Sequence, residues 1–103
     1  MSSQFARQST VEDVNDKDQR IQITGYVKNI VGDESFILDD NTGKINVSIK
    51  SVDFEFHEND LINVIGEIVK EGNNRTLTAE IIQDMNKLNF EYYLKLYELR
   101  KKY

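Results

Sequence analysis

Between residues 20 and 85, apolar and polar side chains alternate along several short segments, and this alternation restricts the fold more than any other feature. A two-residue period is typical of a half-buried β-strand, because successive side chains point to opposite faces. Glycine, asparagine and aspartate separate the segments, and these residues favour tight turns. The five predicted strands carry the apolar sets Ile21, Ile23, Gly25 and Val27; Phe36, Ile37 and Leu38; Ile45, Val47 and Ile49; Ile62, Val64, Gly66 and Ile68; and Leu77, Ala79 and Ile81.

Five short strands joined mostly by tight turns favour a closed barrel, because closure removes the exposed sheet edges. Gly25 and Gly66 fall in the middle of predicted strands, where a small barrel needs sharp coiling or a bulge. A sandwich normally needs more strands, and an SH3-like barrel usually lacks a long terminal helix. We therefore predict an all-β barrel with a C-terminal helix, specifically a five-stranded antiparallel OB-fold.

From Met85 onward the apolar spacing becomes helical, and the predicted helix has two apolar faces. A barrel can cover only one face, and an exposed stripe of large apolar residues is an aggregation liability in a lone domain. The more regular stripe is therefore the predicted partner interface: Met85, Leu88, Tyr92, Leu96, Leu99 and Tyr103. The second stripe is predicted to pack on the barrel: Phe90, Tyr93, Leu94 and Tyr97.

The length of 103 residues indicates one domain, for which the sequence suggests three segments. Residues 1–10 are mostly polar, and we predict that they form a disordered lead. Thr10 can cap a single helical turn that places Val11 and Val14 on the first strand. Residues 11–85 form the predicted barrel. Residues 86–103 form the predicted assembly helix.

Charge and composition exclude several classes of function. The net charge is −5, and residues 20–85 hold six basic and twelve acidic side chains, which disfavours phosphate binding by the barrel. There is no cysteine and only one histidine, so cysteine-ligated zinc and thiolate catalysis are excluded. The first ten residues lack the apolar core of a signal peptide, and no apolar run is long enough to cross a membrane. We expect a soluble, untargeted chain without a membrane role.

A possible nucleic-acid surface lies on outward positions of the predicted strands. OB-folds use this sheet face for nucleic acid, and Tyr26 has an aromatic ring that can stack on a base. The same polar residues are also typical of a solvated strand face, and an outward tyrosine such as Tyr26 on a small barrel more often lies beneath a neighbouring loop or helix. The candidate residues are Tyr26, Lys44, Asn46, Ser48, Lys50 and Arg75.

The remaining conspicuous residues favour structural roles. Phe54 and Phe56 lie in the longest connector and are expected to anchor it to the barrel end, with partner contact as the alternative. His57 stands near acidic residues, but one imidazole does not make a metal site. Asp39 and Asp40 fit the needs of a tight turn, and no nucleophile accompanies them. We predict no catalytic, metal or cofactor site and no small-molecule substrate.

The order of these motifs resembles the family of the smallest subunit of replication protein A. The resemblance covers about residues 10–103, and small subunits of the telomeric CST complex and of telomerase-associated complexes share the architecture. The segments that carry it are Gly25-Tyr26-Val27, Phe36-Ile37-Leu38-Asp39-Asp40-Asn41-Thr42-Gly43-Lys44, Val64-Ile65-Gly66-Glu67-Ile68 and the helix from Phe90 to Tyr97.

This resemblance implies a non-catalytic structural subunit of a heterotrimeric single-stranded-DNA-binding complex, in replication or telomere maintenance. In that family the C-terminal helix joins helices of the medium and large OB-fold subunits, which do most of the DNA binding. The implied location is the nucleus in a eukaryote and the cytoplasm otherwise. An autonomous single-stranded nucleic-acid-binding module is the alternative, and an accessory domain of the tRNA-synthetase type is a more distant one.

Overall fold

A computed structural model describes residues 7–14, 19–50, 52–72 and 74–101. The strands form one sheet in the order β1-β2-β3-β4-β6-β5, and β2 also pairs with β5, which closes a barrel of five strands, β2 to β6. The prediction of an all-β, five-stranded barrel followed by a helix is confirmed. The elements are β1 (Arg7–Gln8), β2 (Arg20–Val31), β3 (Ser35–Asp39), β4 (Lys44–Ser48), β5 (Leu61–Glu71), β6 (Asn74–Asp84) and α1 (Phe90–Lys101).

The longest strand, β2, holds the barrel together because it pairs with three other strands. Its first half pairs with β5 from Arg20 to Tyr26, and its second half pairs with β3 from Tyr26 onward. Ile21, Ile23 and Val27 are fully buried, as the alternation predicts. Tyr26 is therefore the residue at which β2 passes from one neighbour to the other.

Two strand pairs are parallel, and one of them, β4–β6, belongs to the barrel, so the prediction of a wholly antiparallel barrel is wrong in this respect. β1 runs parallel to β2, and β4 runs parallel to β6 through the pairs Asn46–Thr76, Val47–Leu77 and Ser48–Thr78. Turn signals identify only pairs of strands that follow each other along the chain. The β4–β6 pair instead arises from closure, which brings together strands separated by the connector and by β5.

The connector between β4 and β5 is anchored by aromatic stacking, as predicted. The ring of Phe54 stacks on that of Phe36 with centroids 4.9 Å apart, and Phe56 lies 5.7 Å from Phe54. Phe36 is fully buried, whereas Phe54 and Phe56 are half-buried and pack against the core. The connector thus covers one end of the barrel.

A β-bulge changes the predicted orientation of one core residue. Ile65 pairs with Ile81 and Gly66 pairs with Ala79, so Glu80 is an extra residue in β6. Beyond the bulge the alternation shifts by one position: Ile81, predicted to face inward, is 51% exposed, and Ile82 packs against the core instead. A period-two pattern carries no signal for such an insertion.

The N-terminal segment is structured where the sequence predicts a disordered lead. Arg7–Gln8 form β1, the amide of Ser9 donates to the carbonyl of Gln22 at 3.0 Å, and Ser9 and Thr10 are buried. The prediction is therefore wrong for residues 7–10, because strand pairing compensates the burial of their polar groups. Residues 1–6 lie outside the described part. The predicted turn after Thr10 is present, with Val14 buried. We call residues 7–14 the strap.

The helix begins later than the sequence predicts. Asn89 caps it, with its side-chain oxygen accepting from the amide of Tyr92 at 3.0 Å, so α1 starts at Phe90 rather than near residue 86. Met85 and Leu88 consequently lie in the preceding turn, where the Met85 amide donates to the Leu61 carbonyl at 2.8 Å. Of the predicted six-residue stripe, the helix carries Tyr92, Leu96 and Leu99, and Tyr103 lies outside the described residues. Within the described ranges, no helix is suited to spanning a bilayer.

The bulge beside Gly66 generates a stability prediction. A Cβ at this position would lie 2.0 Å from the backbone oxygen of Thr78, so Gly66→Ala must push two paired strands apart. We expect Gly66→Ala to lower the free energy of unfolding by about 3 kcal/mol, measured by urea denaturation.

Gly32→Asn is the control, because Gly32 has a φ of +50° and open space around it, and asparagine tolerates that conformation. Equal stability losses in the two variants would contradict the steric explanation.

Candidate functional site

The inner face of α1 packs against Tyr26 and the strap. Phe90 is buried and meets the ring of Tyr26 edge-on, with centroids 5.2 Å apart and an interplanar angle of 83°. Phe90 also stacks with Tyr93 at 5.9 Å. The structure thus places Tyr26 beneath the helix, which is the alternative that its sequence context left open, and its ring is engaged by the protein itself.

Two tyrosine hydroxyl groups attach the inner face to the strap. The side-chain amide of Gln8 donates to the hydroxyl of Tyr93 at 2.6 Å, and the hydroxyl of Tyr97 donates to Oδ2 of Asp13 at 2.7 Å. Burial, followed by the hydrogen bond to Asp13 and the negative charge of that residue, raises the pKa of Tyr97 above its ordinary value. The helix is therefore joined to the barrel partly through the strap.

The outer face of α1, defined by Tyr92, Leu96 and Leu99, is largely open to solvent. Tyr92 is 60% exposed and Leu99 is 50% exposed, while Leu96 is half-buried. A shallow depression of about 430 Å³ lies beside Leu99, bordered by Leu94 and by the side chains of Lys95 and Glu98. Leu94, which the sequence predicts to pack on the barrel, is half-buried and borders this open depression.

A polar groove crosses β4 and β6 on the outside of the barrel. It consists of two depressions of about 690 and 390 Å³ that share Asn46 and Thr76. Five of the six residues predicted for nucleic-acid contact line it: Lys44, Asn46, Ser48, Lys50 and Arg75. Sequence reasoning missed Thr76 and Thr78, which line the groove because β6 runs beside β4; only that parallel pairing would have revealed them.

The charges of the groove are not all available to a ligand. Lys44 and Lys50 are exposed, but Nη1 of Arg75 donates to the carbonyl of Val14 at 2.8 Å, and Glu34 adds a negative charge at one end. Among the described residues that line the groove, none is aromatic. The groove therefore offers two solvated lysines without a base-stacking platform.

The carboxylate pair Asp39–Asp40 organises a turn, as the sequence indicates. Asp40 is fully buried, and its carboxylate accepts hydrogen bonds from the amides of Val11 (2.8 Å), Thr42 (3.0 Å) and Gly43 (3.2 Å) and from the Thr42 hydroxyl (2.7 Å). Asp39 accepts from the amide of Asn41 at 3.0 Å. These bonds join the β3–β4 turn to the strap.

His57 lies in an exposed turn. Its side chain is 89% exposed, and Nδ1 is 3.8 Å from Oδ2 of Asp60, an oxygen that also accepts the His57 amide at 2.8 Å. In the part of the chain that the structure describes, no three metal-ligating side chains cluster.

Comparison with known families identifies the barrel. The sequence profile of the bacterial OB fold (BOF) protein family matches residues 3–84. This chain belongs to the BOF family. The OB-fold predicted from the strand pattern is thereby confirmed. No curated protein sequence matches the chain.

Solved structures extend the similarity of this BOF-family chain beyond the barrel. Telomere capping protein Ten1 from Saccharomyces pombe superposes with a TM-score of 0.79 at 18% identity, covering 96% of this chain and 100% of Ten1. A chain of the S. pombe Stn1–Ten1 complex gives a TM-score of 0.78 at 17% identity, covering 95% of this chain and 93% of that chain. A chain of a replication protein A heterotrimer bound to single-stranded DNA gives a TM-score of 0.57 at 16% identity, covering 74% of this chain and 63% of that chain.

At these identities the similarity is one of fold. The BOF match ends at residue 84, before α1, whereas a match over 96% of the chain must include most of that helix. The arrangement of barrel plus terminal helix is therefore shared with Ten1. The OB-fold implied by the resemblance to replication protein A is confirmed. The family to which the sequence profile assigns the chain is the bacterial OB-fold (BOF) family.

Removing the charge of Asp40 should destabilise the protein. Asp40→Asn replaces one accepting oxygen by an amide donor opposite backbone donors, so we expect a loss of about 2 kcal/mol in the free energy of unfolding. Asp39→Asn is the matched control, with an expected loss of about 0.5 kcal/mol. Urea denaturation measures both, and equal losses would show that Asp40 has no special role.

The raised pKa of Tyr97 predicts an alkaline transition. Because its pKa in the folded state lies above the ordinary value of 10.0, the stabilisation is complete below that value and is lost as the pH rises through the folded pKa. Tyrosinate absorbance should show a late-ionising component, accompanied by loss of the helical signal in circular dichroism. Tyr97→Phe should remove the late component, and Tyr92→Phe should retain it. Persistence of that component in Tyr97→Phe would refute the assignment.

Proposed function

We propose that this BOF-family protein is a non-catalytic subunit of a single-stranded-DNA-binding complex and that it binds an OB-fold partner through the outer face of α1. The observation that carries the proposal is the exposure of Tyr92 and Leu99 on a helix whose inner face is already packed. Large apolar groups placed together in water are typical of an interaction surface. Burying them against a partner helix would remove this unfavourable hydration.

The fold comparison supports the same role. Ten1 has the barrel-plus-helix arrangement of this chain and forms a complex with Stn1, and replication protein A is a heterotrimer that binds single-stranded DNA. The helix lies outside the matched BOF segment. We therefore assign assembly to α1 and regard the barrel as the scaffold that positions it.

The small number of free basic side chains in the groove indicates that this protein takes only an indirect part in DNA binding. Its free lysines, Lys44 and Lys50, belong to a barrel segment with twelve acidic side chains, and Arg75 is engaged with the strap. Neutralisation of phosphates by basic groups dominates the affinity of proteins for nucleic acids, and this groove has few such groups. The DNA is accordingly expected to be held mainly by the partner subunits.

A second candidate is an autonomous single-stranded-DNA-binding module that uses the groove. The position of Lys44, Asn46, Ser48 and Lys50 along one open groove favours it. The two candidates place the functional surface on different elements, α1 in the first and β4 with β6 in the second. Substitutions on those elements therefore separate them.

Partner binding should depend on the outer face of α1. Leu99→Glu puts a charge into the surface that the partner desolvates, so we expect its recovery with the partner to fall at least tenfold, because an unpaired buried charge costs several kcal/mol. The measurement is affinity purification of tagged protein from its native cells, with the co-purified OB-fold protein identified by mass spectrometry.

Asn46→Glu is the matched control, since it adds the same charge at an exposed position in the groove. It should retain the partner. The reverse pattern, with loss in Asn46→Glu and retention in Leu99→Glu, would place the interface in the groove.

The isolated protein should bind single-stranded DNA weakly. We expect a dissociation constant no tighter than about 10 μM near physiological salt, because the barrel has few phosphate partners. Fluorescence anisotropy with a labelled oligonucleotide measures it. A nanomolar, salt-sensitive constant that is lost in the double variant Lys44→Ala, Lys50→Ala would establish the autonomous module instead.

A further inference from the structure

The strap has bonds to the groove and to the inner face of α1. On the groove side, Nη1 of Arg75 donates to the carbonyl of Val14 at 2.8 Å, and the amide of Val11 donates to Oδ2 of Asp40 at 2.8 Å. Val14 is buried in the core, and both valines line the groove. A Cβ on Gly43 would lie 3.0 Å from Val11, so the strap lies close against the β3–β4 turn.

On the helix side, two of the three inward aromatic residues of α1 bond to the strap. Tyr97 bonds to Asp13 and Tyr93 bonds to Gln8, while Phe90 packs on Tyr26 of the barrel. Both tyrosines of the inner face are therefore held by hydrogen bonds to the strap. An isolated helix of 12 residues is marginal in water, so α1 needs these contacts to stay folded.

The two sets of bonds meet at neighbouring residues. The carbonyl of Val14 accepts a hydrogen bond from Arg75, and the carboxylate of the preceding residue, Asp13, accepts one from Tyr97. Hydrogen bonds within the strap make this part stiff: the amide of Asp13 donates to the Thr10 carbonyl at 3.1 Å, and Arg7 donates to the Asp13 carbonyl at 3.3 Å. A displacement of Val14 must therefore move Asp13.

We propose that the strap couples the groove to α1, so that Arg75 in the groove controls how firmly the helix is docked. A group that draws the Arg75 guanidinium away from the Val14 carbonyl, such as the phosphate of a single-stranded nucleic acid, loosens the strap. Loosening separates Asp13 from Tyr97 and releases the C-terminal half of α1. The proposal concerns the isolated protein, so it is tested without a partner and does not depend on the proposed function.

Hydrogen exchange of α1 amides tests this coupling directly. In Arg75→Ala we expect the amides around Tyr97 to exchange about tenfold faster, because a hydrogen bond from a charged donor is lost at the strap. Lys44→Ala is the matched control: Lys44 lines the same groove, and we expect unchanged exchange. Faster exchange in both variants, or in neither, would overturn the proposal.

A double-mutant cycle distinguishes coupling from general loss of stability. Arg75→Ala and Tyr97→Phe lie on different elements, so independent effects on the opening equilibrium of α1 multiply. If the strap transmits the change, the double variant opens less than that product by about threefold or more, because the first substitution has already broken the second contact. Simple multiplication of the two effects would overturn the proposal, even if both variants are less stable.

Discussion

The pairing of β2 with both β3 and β5 is the constraint on which the rest of the structure depends. At Tyr26 this strand pairs with both Leu61 of β5 and Asp39 of β3, and the barrel closes through this one strand. Gly25 permits the close approach of β2 to the end of β3, since a Cβ there would lie 2.9 Å from the carbonyl oxygen of Asp39. At the same point the ring of Tyr26 meets Phe90 edge-on, so α1 lies against the barrel where β2 changes neighbour.

The helix then has more apolar surface than the barrel can cover. Tyr26 and the strap cover its inner face, while Tyr92 and Leu99 remain in water. The groove, by contrast, is lined mostly by polar residues, and one of its three basic side chains, Arg75, is engaged with Val14. This difference is why we assign assembly to the helix and a minor role to the groove. The strap touches the groove and the inner face of α1, and it gives the protein a physical link between the groove and the helix.

The sequence predicts the parts of this structure that depend on local periodicity. Alternation identifies the buried residues of β2 and β4, and the turn at Asp40 follows from the hydrogen-bonding capacity of aspartate. The bulge at Glu80, the parallel β4–β6 pair and the strap depend on contacts between distant residues, which one sequence does not reveal. The start of α1 is a different case: Asn89 is a recognisable cap, but the apolar spacing of Met85 and Leu88 continues the helical period and conceals it. The groove residues of β4 were predictable, whereas Thr76 and Thr78 were not.

The central claim is that the outer face of α1 is the surface on which this protein meets its partner. Site-specific photo-crosslinking in native cells tests it most directly, with a photoreactive amino acid placed at Leu99 or, for comparison, at Ser48 in the groove. The account predicts a discrete protein adduct from position 99, containing an OB-fold protein, and no such adduct from position 48. Adducts with nucleic acid or protein from position 48 alone would contradict the account and place the functional surface in the groove.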